Sequence, residues 1–285
     1  MTERTRPPIF VGGTGRSGTT ILAKAVSAHP SVSLVPIETR FLVDGNGLLD
    51  VVADPDRFPA FRERITTTWW KRTSAYGDSR GLHLIIDEGL LENALRALEV
   101  AIGEERILDG ARQFADEILD TQLSGADTWV EMTPTTVARS ADLARLYPDM
   151  KLIHIHRDGR DVACSVAKMK WGPSDPFEGL EWWADSLRRA GQGSTGLDRS
   201  SLMHVDLEDL VGPARDLVRE RILEFLGLEP DCAMVEFWEA EMTGTHAHVD
   251  QWLKDIPPEQ TEDFRELHRQ LVDQLGRDGV VMGGS

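Results

Sequence analysis

Cysteine is nearly absent. The 285-residue chain has two, Cys164 and Cys232, and no C-x-x-C pair. That argues against a disulfide framework or a cysteine-rich zinc site and makes a reducing compartment the default. No stretch approaches the roughly 18–20 apolar residues of a membrane span. The N-terminus, Met1 to Pro8, carries charge without an apolar run and cleavage site, so no signal peptide is expected. A cytoplasmic location follows as the expectation. No fixed-period repeat or low-complexity tract is visible. Positive charge is scarce, with 31 Lys and Arg against 48 Asp and Glu and a formal charge of −17. Nucleic-acid binding and docking on an anionic membrane both need a basic face, so neither is expected. Any anionic ligand must meet a local positive site built against the overall field.

What is present is an ordinary globular composition, 41% hydrophobic and 28% charged, which excludes disorder and collagen-like repeats. The length suits one large α/β domain or two small ones. Ile9-Phe10-Val11 reads as a short strand ending at Gly12-Gly13. From Thr19, the apolar spacing of Ile21, Leu22, Ala25 and Val26 fits a helix that His29-Pro30 stops. Val32 to Val35 suits a second strand. Residues 37 to about 125 read as helices joined by polar loops, with Leu90-Leu91, Ala94-Leu95 and Leu98 on one helical face. Alternation of strand and helix then returns. Trp129-Val130-Glu131 is a strand end, Thr135 to Leu146 a helix opened by Pro134, and Lys151 to His156 a strand. Gly159 to Met169 is a helix, Ser201 to Val205 a strand, and helices follow near Ala214 to Leu226 and Glu259 to Leu275. Such alternation implies a parallel sheet with right-handed crossovers. The expected fold is a single α/β domain over residues 1–285, three-layered and P-loop-like. Residues of about 43–125 form a helical insertion capping the substrate side.

Two segments carry chemistry. Gly13-Thr14-Gly15-Arg16-Ser17-Gly18-Thr19-Thr20 lies between a strand and a helix, where glycines let backbone N–H groups curl around an anion at the helix N-terminus. The G-x-x-x-x-G spacing is that of a Walker A loop, yet Thr19 stands where a nucleotide triphosphatase needs Lys. Arg16 supplies the cation instead, which suits a 5′-phosphate better than a magnesium-bound triphosphate. The second segment, Arg157-Asp158-Gly159-Arg160-Asp161-Val162-Ala163-Cys164-Ser165, again runs from strand to helix. Between Lys151 and Lys170, five basic residues face two acidic ones, a local excess of three positive charges. An Arg at a strand tip and a hydroxyl on the next helix can converge on one phosphate. Taken alone, the same segment also reads as a solvated helix face with internal Arg–Asp pairs. Together the two segments imply a ligand with two separated phosphates.

The chain resembles the sulfotransferases that use 3′-phosphoadenosine-5′-phosphosulfate (PAPS). Their 5′ loop reads G-x-x-R-S-G-T-T, as at residues 13–20, and their 3′-phosphate motif reads R-D-x-R-D-x-x-x-S, as at residues 157–165. Weaker likenesses lie at Glu131-Met132-Thr133-Pro134, Leu207-Glu208-Asp209-Leu210-Val211 and Leu223-Glu224-Phe225-Leu226-Gly227-Leu228. The resemblance implies that Gly15, Arg16, Ser17, Gly18, Thr19 and Thr20 hold the donor's 5′-phosphate, and that Arg157 and Ser165 hold its 3′-phosphate. The acceptor it implies is a hydroxyl of a small molecule or natural product, less readily an amine, and no metal is required. Glu38-Thr39-Arg40 resembles the E-T-R segment of the tyrosylprotein sulfotransferase branch, whose Glu is the catalytic base. That role is carried to Glu38, beside Arg16 as the cation on the leaving group. Glu38 also reads as a helix N-terminal charge or a partner for Arg40. Two positions depart from the pattern. Met132 stands where many relatives have a Lys on the bridging oxygen, and Leu207 replaces a Tyr near the adenosine.

Two other readings stay open, a P-loop kinase of a small molecule and a nucleotide-binding relative that has lost catalysis. His154 and His156, two apart on a strand, share a face and read as core or cleft-edge histidines, with metal ligation the rarer alternative. His246 and His248 carry the same reading. The stretch Asp250-Gln251-Trp252 has no basic residue before Lys254, which gives it no evident part in binding. Leu84 to Asp87 imitates a Walker B strand. Trp69-Trp70 and Trp182-Trp183 read as core or acceptor-pocket wall. The oligomeric state is left open.

Overall fold

Ile9–Gly13 (β1) is buried along its whole length, as a strand covered on both faces must be. The computed structural model describes residues 4–73 and 77–283. The first three residues of the N-terminal stretch read above therefore lie outside the described residues. After β1 come Val32–Leu34 (β2), a two-residue ribbon of Arg72–Thr73 (β3) and Ser79–Arg80 (β4), then Thr128–Glu131 (β5), Lys151–His156 (β6) and Leu202–Asp206 (β7). Five of these form a parallel sheet of order β2-β5-β1-β6-β7. In the central pairing Gly13 lies opposite Ile155, so the carboxyl ends of β1 and β6 stand side by side.

Side-chain alternation sorts the sheet's two faces. Ile9 and Val11 of β1, with Ile153 and Ile155 of β6, pack against Leu22 and Val26 of the helix Thr19–Ser27 (α1). Phe10 and Leu152 point the other way, joining Trp129 and Tyr147 in a second buried cluster. That cluster also takes in the helices Leu48–Ala53 (α2), Phe58–Thr66 (α3), Glu88–Gly103 (α4) and Ile107–Leu119 (α5). The result is an α/β fold in which helices flank a central parallel sheet, as the alternation of elements predicts. None of the helices among the described residues is long and apolar enough to cross a membrane.

Some elements differ from the sequence reading. The predicted helix from Thr135 begins as a 3₁₀ segment, Pro134–Arg139, and becomes α-helical only over Ser140–Leu146 (α6). The β-branched run Thr135-Thr136-Val137 crowds an α-turn, and Ser140 bonds back to the Val137 carbonyl at 2.8 Å. The stretch likened to a Walker B strand is a 3₁₀ turn, Leu82–Leu84, and Asp87 caps α4 by accepting from the Leu90 N–H. After Gly159–Ala167 (α7) comes an 18-residue helix, Pro176–Gly193 (α8), that the sequence reading passed over. Its start is well marked. Asp175 accepts from the N–H groups of Phe177 and Glu178, and Pro176 occupies the first turn.

Helices α7 and α8 meet at Gly179. A Cβ there would stand 2.7 Å from the Ala163 carbonyl oxygen and 2.9 Å from its Cα. These are backbone atoms that cannot rotate aside, so Gly179→Ala must push the helices apart. Overpacking of this kind costs about 1–3 kcal/mol. Urea unfolding should show that loss, and a variant as stable as the parent would contradict the close approach.

Candidate active site

The turn after β1 is built for exposed N–H groups. Gly15 (φ 87°), Arg16 (φ 59°) and Gly18 (φ 101°) all adopt left-handed backbone. Glycine does so without strain, whereas the non-glycine Arg16 incurs roughly 1–2 kcal/mol. Gly18 is the N-cap of α1 and offers no side-chain cap, so the helix's first N–H groups remain available to an anion. The Ser17 hydroxyl is buried and has no hydrogen-bond partner among the described residues. Trp182 packs against Gly15, and Leu207 and Ile155 press on Gly18. Leu207 thus serves as apolar packing beneath the loop.

The second motif begins where β6 ends. Asp158 caps α7 by accepting from the Arg160 N–H at 2.8 Å. Arg157 Nη1 donates to the Arg16 carbonyl at 2.9 Å, and Arg16 Nε donates to Ser165 Oγ at 3.0 Å. The structure therefore brings Arg16, Arg157 and Ser165 into direct contact at neighbouring strand tips. Ser165 accepts in this contact and keeps its hydroxyl proton for donation elsewhere. Arg157 Nε is buried and unpartnered among the described residues. Burial also pulls the Arg157 pKa down, opposed by Asp161 and Glu208.

The stretch after His246 is tied to the same arginine. Arg157 Nη2 donates to the His248 carbonyl at 2.9 Å and lies 3.8 Å from Asp161 Oδ2. Asp161, buried, accepts from the N–H groups of Asp250 and Trp252, both at 2.9 Å. Desolvation raises its pKa against those hydrogen bonds. Arg160 lies 4.4 Å over the Trp252 ring. The segment 248–252 contributes backbone groups here, which is why its lack of basic side chains is uninformative.

Glu38 is tied to this centre indirectly. Glu131, at the end of β5 and opposite Phe10 of β1, is wholly buried. Its Oε1 accepts from Thr39 N at 3.0 Å, from Thr133 N at 2.8 Å and from Thr133 Oγ1. One carboxylate thus fixes the Glu38-Thr39-Arg40 segment to the strand beside β1. Glu38 Oε2 itself accepts from Arg40 Nε at 2.9 Å, and Arg40 also faces Asp44 at 3.5 Å. Arg72 of β3 joins this group, its pKa lowered by burial and by Arg40. The sequence reading gave no part to Arg72. Met132 is core, packed with Val11 and Leu22, so no cation occupies that position. Trp183 is buried while Trp171, 58% exposed, leans on Trp182 at 6.1 Å.

Comparison with known proteins names this arrangement. Residues 7–231 match the sequence model of the sulfotransferase family. The chain belongs to that family. It is 24% identical over 229 residues to a protein-tyrosine sulfotransferase of Drosophila melanogaster, covering 79% of this chain but only 38% of the relative's length. In structure the chain is similar to the sulfotransferase domain from the curacin biosynthetic pathway, with a TM-score of 0.57 and 18% identity over 96% of this chain and 99% of that one. It is similar also to the sulfotransferase domain of the Synechococcus PCC 7002 olefin synthase, with a TM-score of 0.53 and 16% identity over 96% of each chain. These likenesses show the fold.

Burial raises the Glu131 pKa above its ordinary 4.5, against the hydrogen bonds it accepts from Thr133 and Thr39. As pH rises, the unfolded chain loses this proton before the native one does. The carboxyl's contribution to stability is therefore full below the unfolded value and lost as pH rises through the native value. Glu131→Gln stays neutral throughout. Its melting temperature relative to the parent should climb as pH rises above the ordinary carboxyl value of 4.5, and a constant difference would contradict the assignment.

Proposed function

We propose that this sulfotransferase moves the sulfuryl group of PAPS to a hydroxyl of a small-molecule or natural-product acceptor. One observation carries the reading: Arg157 holds the Arg16 carbonyl while Arg16 holds Ser165, so the two anion-binding motifs meet at adjacent strand tips. A doubly phosphorylated adenosine can then lie with its 5′-phosphate on the N–H groups of residues 15–20 and its 3′-phosphate on Arg157 and Ser165. Thr19 and Thr20 supply hydroxyls at the first turn of α1. A kinase is less well served, because no Lys follows Gly18 to reach a γ-phosphate.

Transfer asks the protein to align, to neutralise charge and to accept a proton. The acceptor oxygen attacks sulfur in line, the new S–O bond forms as the bond to the 5′-phosphate oxygen breaks, and adenosine 3′,5′-bisphosphate leaves. Arg16 and the loop N–H groups stabilise charge on that leaving oxygen, a duty undivided here because Met132 is apolar core. Glu38 takes the acceptor's proton. Arg40 orients the Glu38 carboxylate, and Glu131 fixes the backbone that carries both.

Calorimetric titration with adenosine 3′,5′-bisphosphate should give tight binding where ATP with magnesium binds weakly; the reverse preference would favour a kinase. Arg157→Ala and Ser165→Ala should each weaken bisphosphate binding by roughly 1.5–3 kcal/mol, the range for hydrogen bonds to charged groups. Unchanged affinity in both would remove the 3′-phosphate assignment. Glu38→Gln should lower turnover by about 10²–10⁴ with donor affinity intact. Near-parental turnover would exclude Glu38 as the base.

A further inference from the structure

Behind the Arg157 strand tip lies a cluster that sulfuryl transfer leaves unused. His154 and His156 of β6 project from one face, and the pairing of β6 with β7 sets His204 directly opposite His154. Ring centroids are 3.9 Å apart for His154 and His156, 5.3 Å for His154 and His204, and 5.2 Å for His156 and His204. One nitrogen from each ring falls within 4.8 Å of the other two. His156 Nε2 and His204 Nδ1 face one another at 2.9 Å. His154 Nε2 and His156 Nδ1 are buried and have no partner among the described residues.

A buried, unpaired ring nitrogen is destabilising, and two within one cluster call for a physical reason. A bound ion is one such reason. We propose that His154, His156 and His204 form a divalent metal site of the zinc class that clips β6 to β7. The donor chemistry suits it. Three imidazoles with a fourth, water-filled position are an established zinc set, with Zn–N near 2.0–2.1 Å. Tetrahedral geometry at that length places the nitrogens about 3.3 Å apart, and one nitrogen of each ring already lies within 4.8 Å of the other two. His204, the least buried, borders an open cavity of about 570 Å³ lined also by Leu202, Met203, Phe225 and Val281, which offers a route in. A clip here would brace the strand whose next residue is Arg157.

The test is equilibrium dialysis of the metal-free full chain against Zn²⁺, with elemental analysis and thermal melts. One equivalent should bind, and the melting temperature should rise with Zn²⁺ and fall back with chelator. His156→Gln and His204→Gln should each weaken binding at least about tenfold, since even residues behind a ligand cost that much. His246→Ala, in the 246–248 stretch, should leave binding unchanged. Absence of binding to the parent, or parental affinity in both glutamine variants, overturns the proposal. Should neither variant fold, X-ray absorption at the zinc edge of the parent decides. Three imidazole nitrogens support the site and an oxygen shell refutes it.

Discussion

Everything at the anion-binding end depends on the contact between Arg157 and the carbonyl of Arg16. A non-glycine residue in left-handed backbone is strained, and such strain persists only where the surroundings over-determine it. Here Arg157 grips the strained residue's carbonyl while Ser165 grips its side chain. The parallel register of β1 against β6 makes this possible, because it brings both turns to one edge of the sheet. Without that pairing each turn would be an unremarkable connection between a strand and a helix.

The chain's acidity and its anion site are compatible for a related reason. Three arginines of the region are positioned by carboxylates: Arg157 by Asp161, Arg160 by Asp158, and Arg40 by Glu38 and Asp44. The negative residues thus orient the cations without occupying them completely. Asp161 does further work by binding two backbone N–H groups of the segment at 250–252. Glu131 acts alike on the other side of β1, holding Thr39 and with it Glu38. Two buried carboxylates therefore set the positions of Arg157 and of the segment that carries Glu38.

Much of the fold was legible because it rests on patterns of residue type. The strand-turn-helix units at 9–27 and 151–167 show in β-rich runs followed by glycine and helical spacing. Helix α8 was equally legible, with Asp175-Pro176 at its start and Leu180, Trp183, Ala184 and Leu187 along one face, but the paired tryptophans drew the reading toward a pocket wall. The 3₁₀ start at Pro134 was harder to foresee, since it reflects the local crowding of Thr135, Thr136 and Val137. The segment 248–252 was not legible at all. It engages the site through a carbonyl and two N–H groups, and backbone groups leave no mark on residue identity.

The sequence by itself determined the composition of two candidate anion sites, because glycine spacing, embedded arginines and hydroxyls are local properties of the chain. It determined also that the positive charge there had to be local, against a net charge of −17. Only the tertiary structure decided that the two sites are one place, that Glu131 anchors the Glu38 segment, and that three histidines from two strands face each other. Those facts depend on which strands are neighbours and in what register, and neighbourhood in a parallel sheet joins residues 50 to 150 positions apart whose pairing no local pattern encodes.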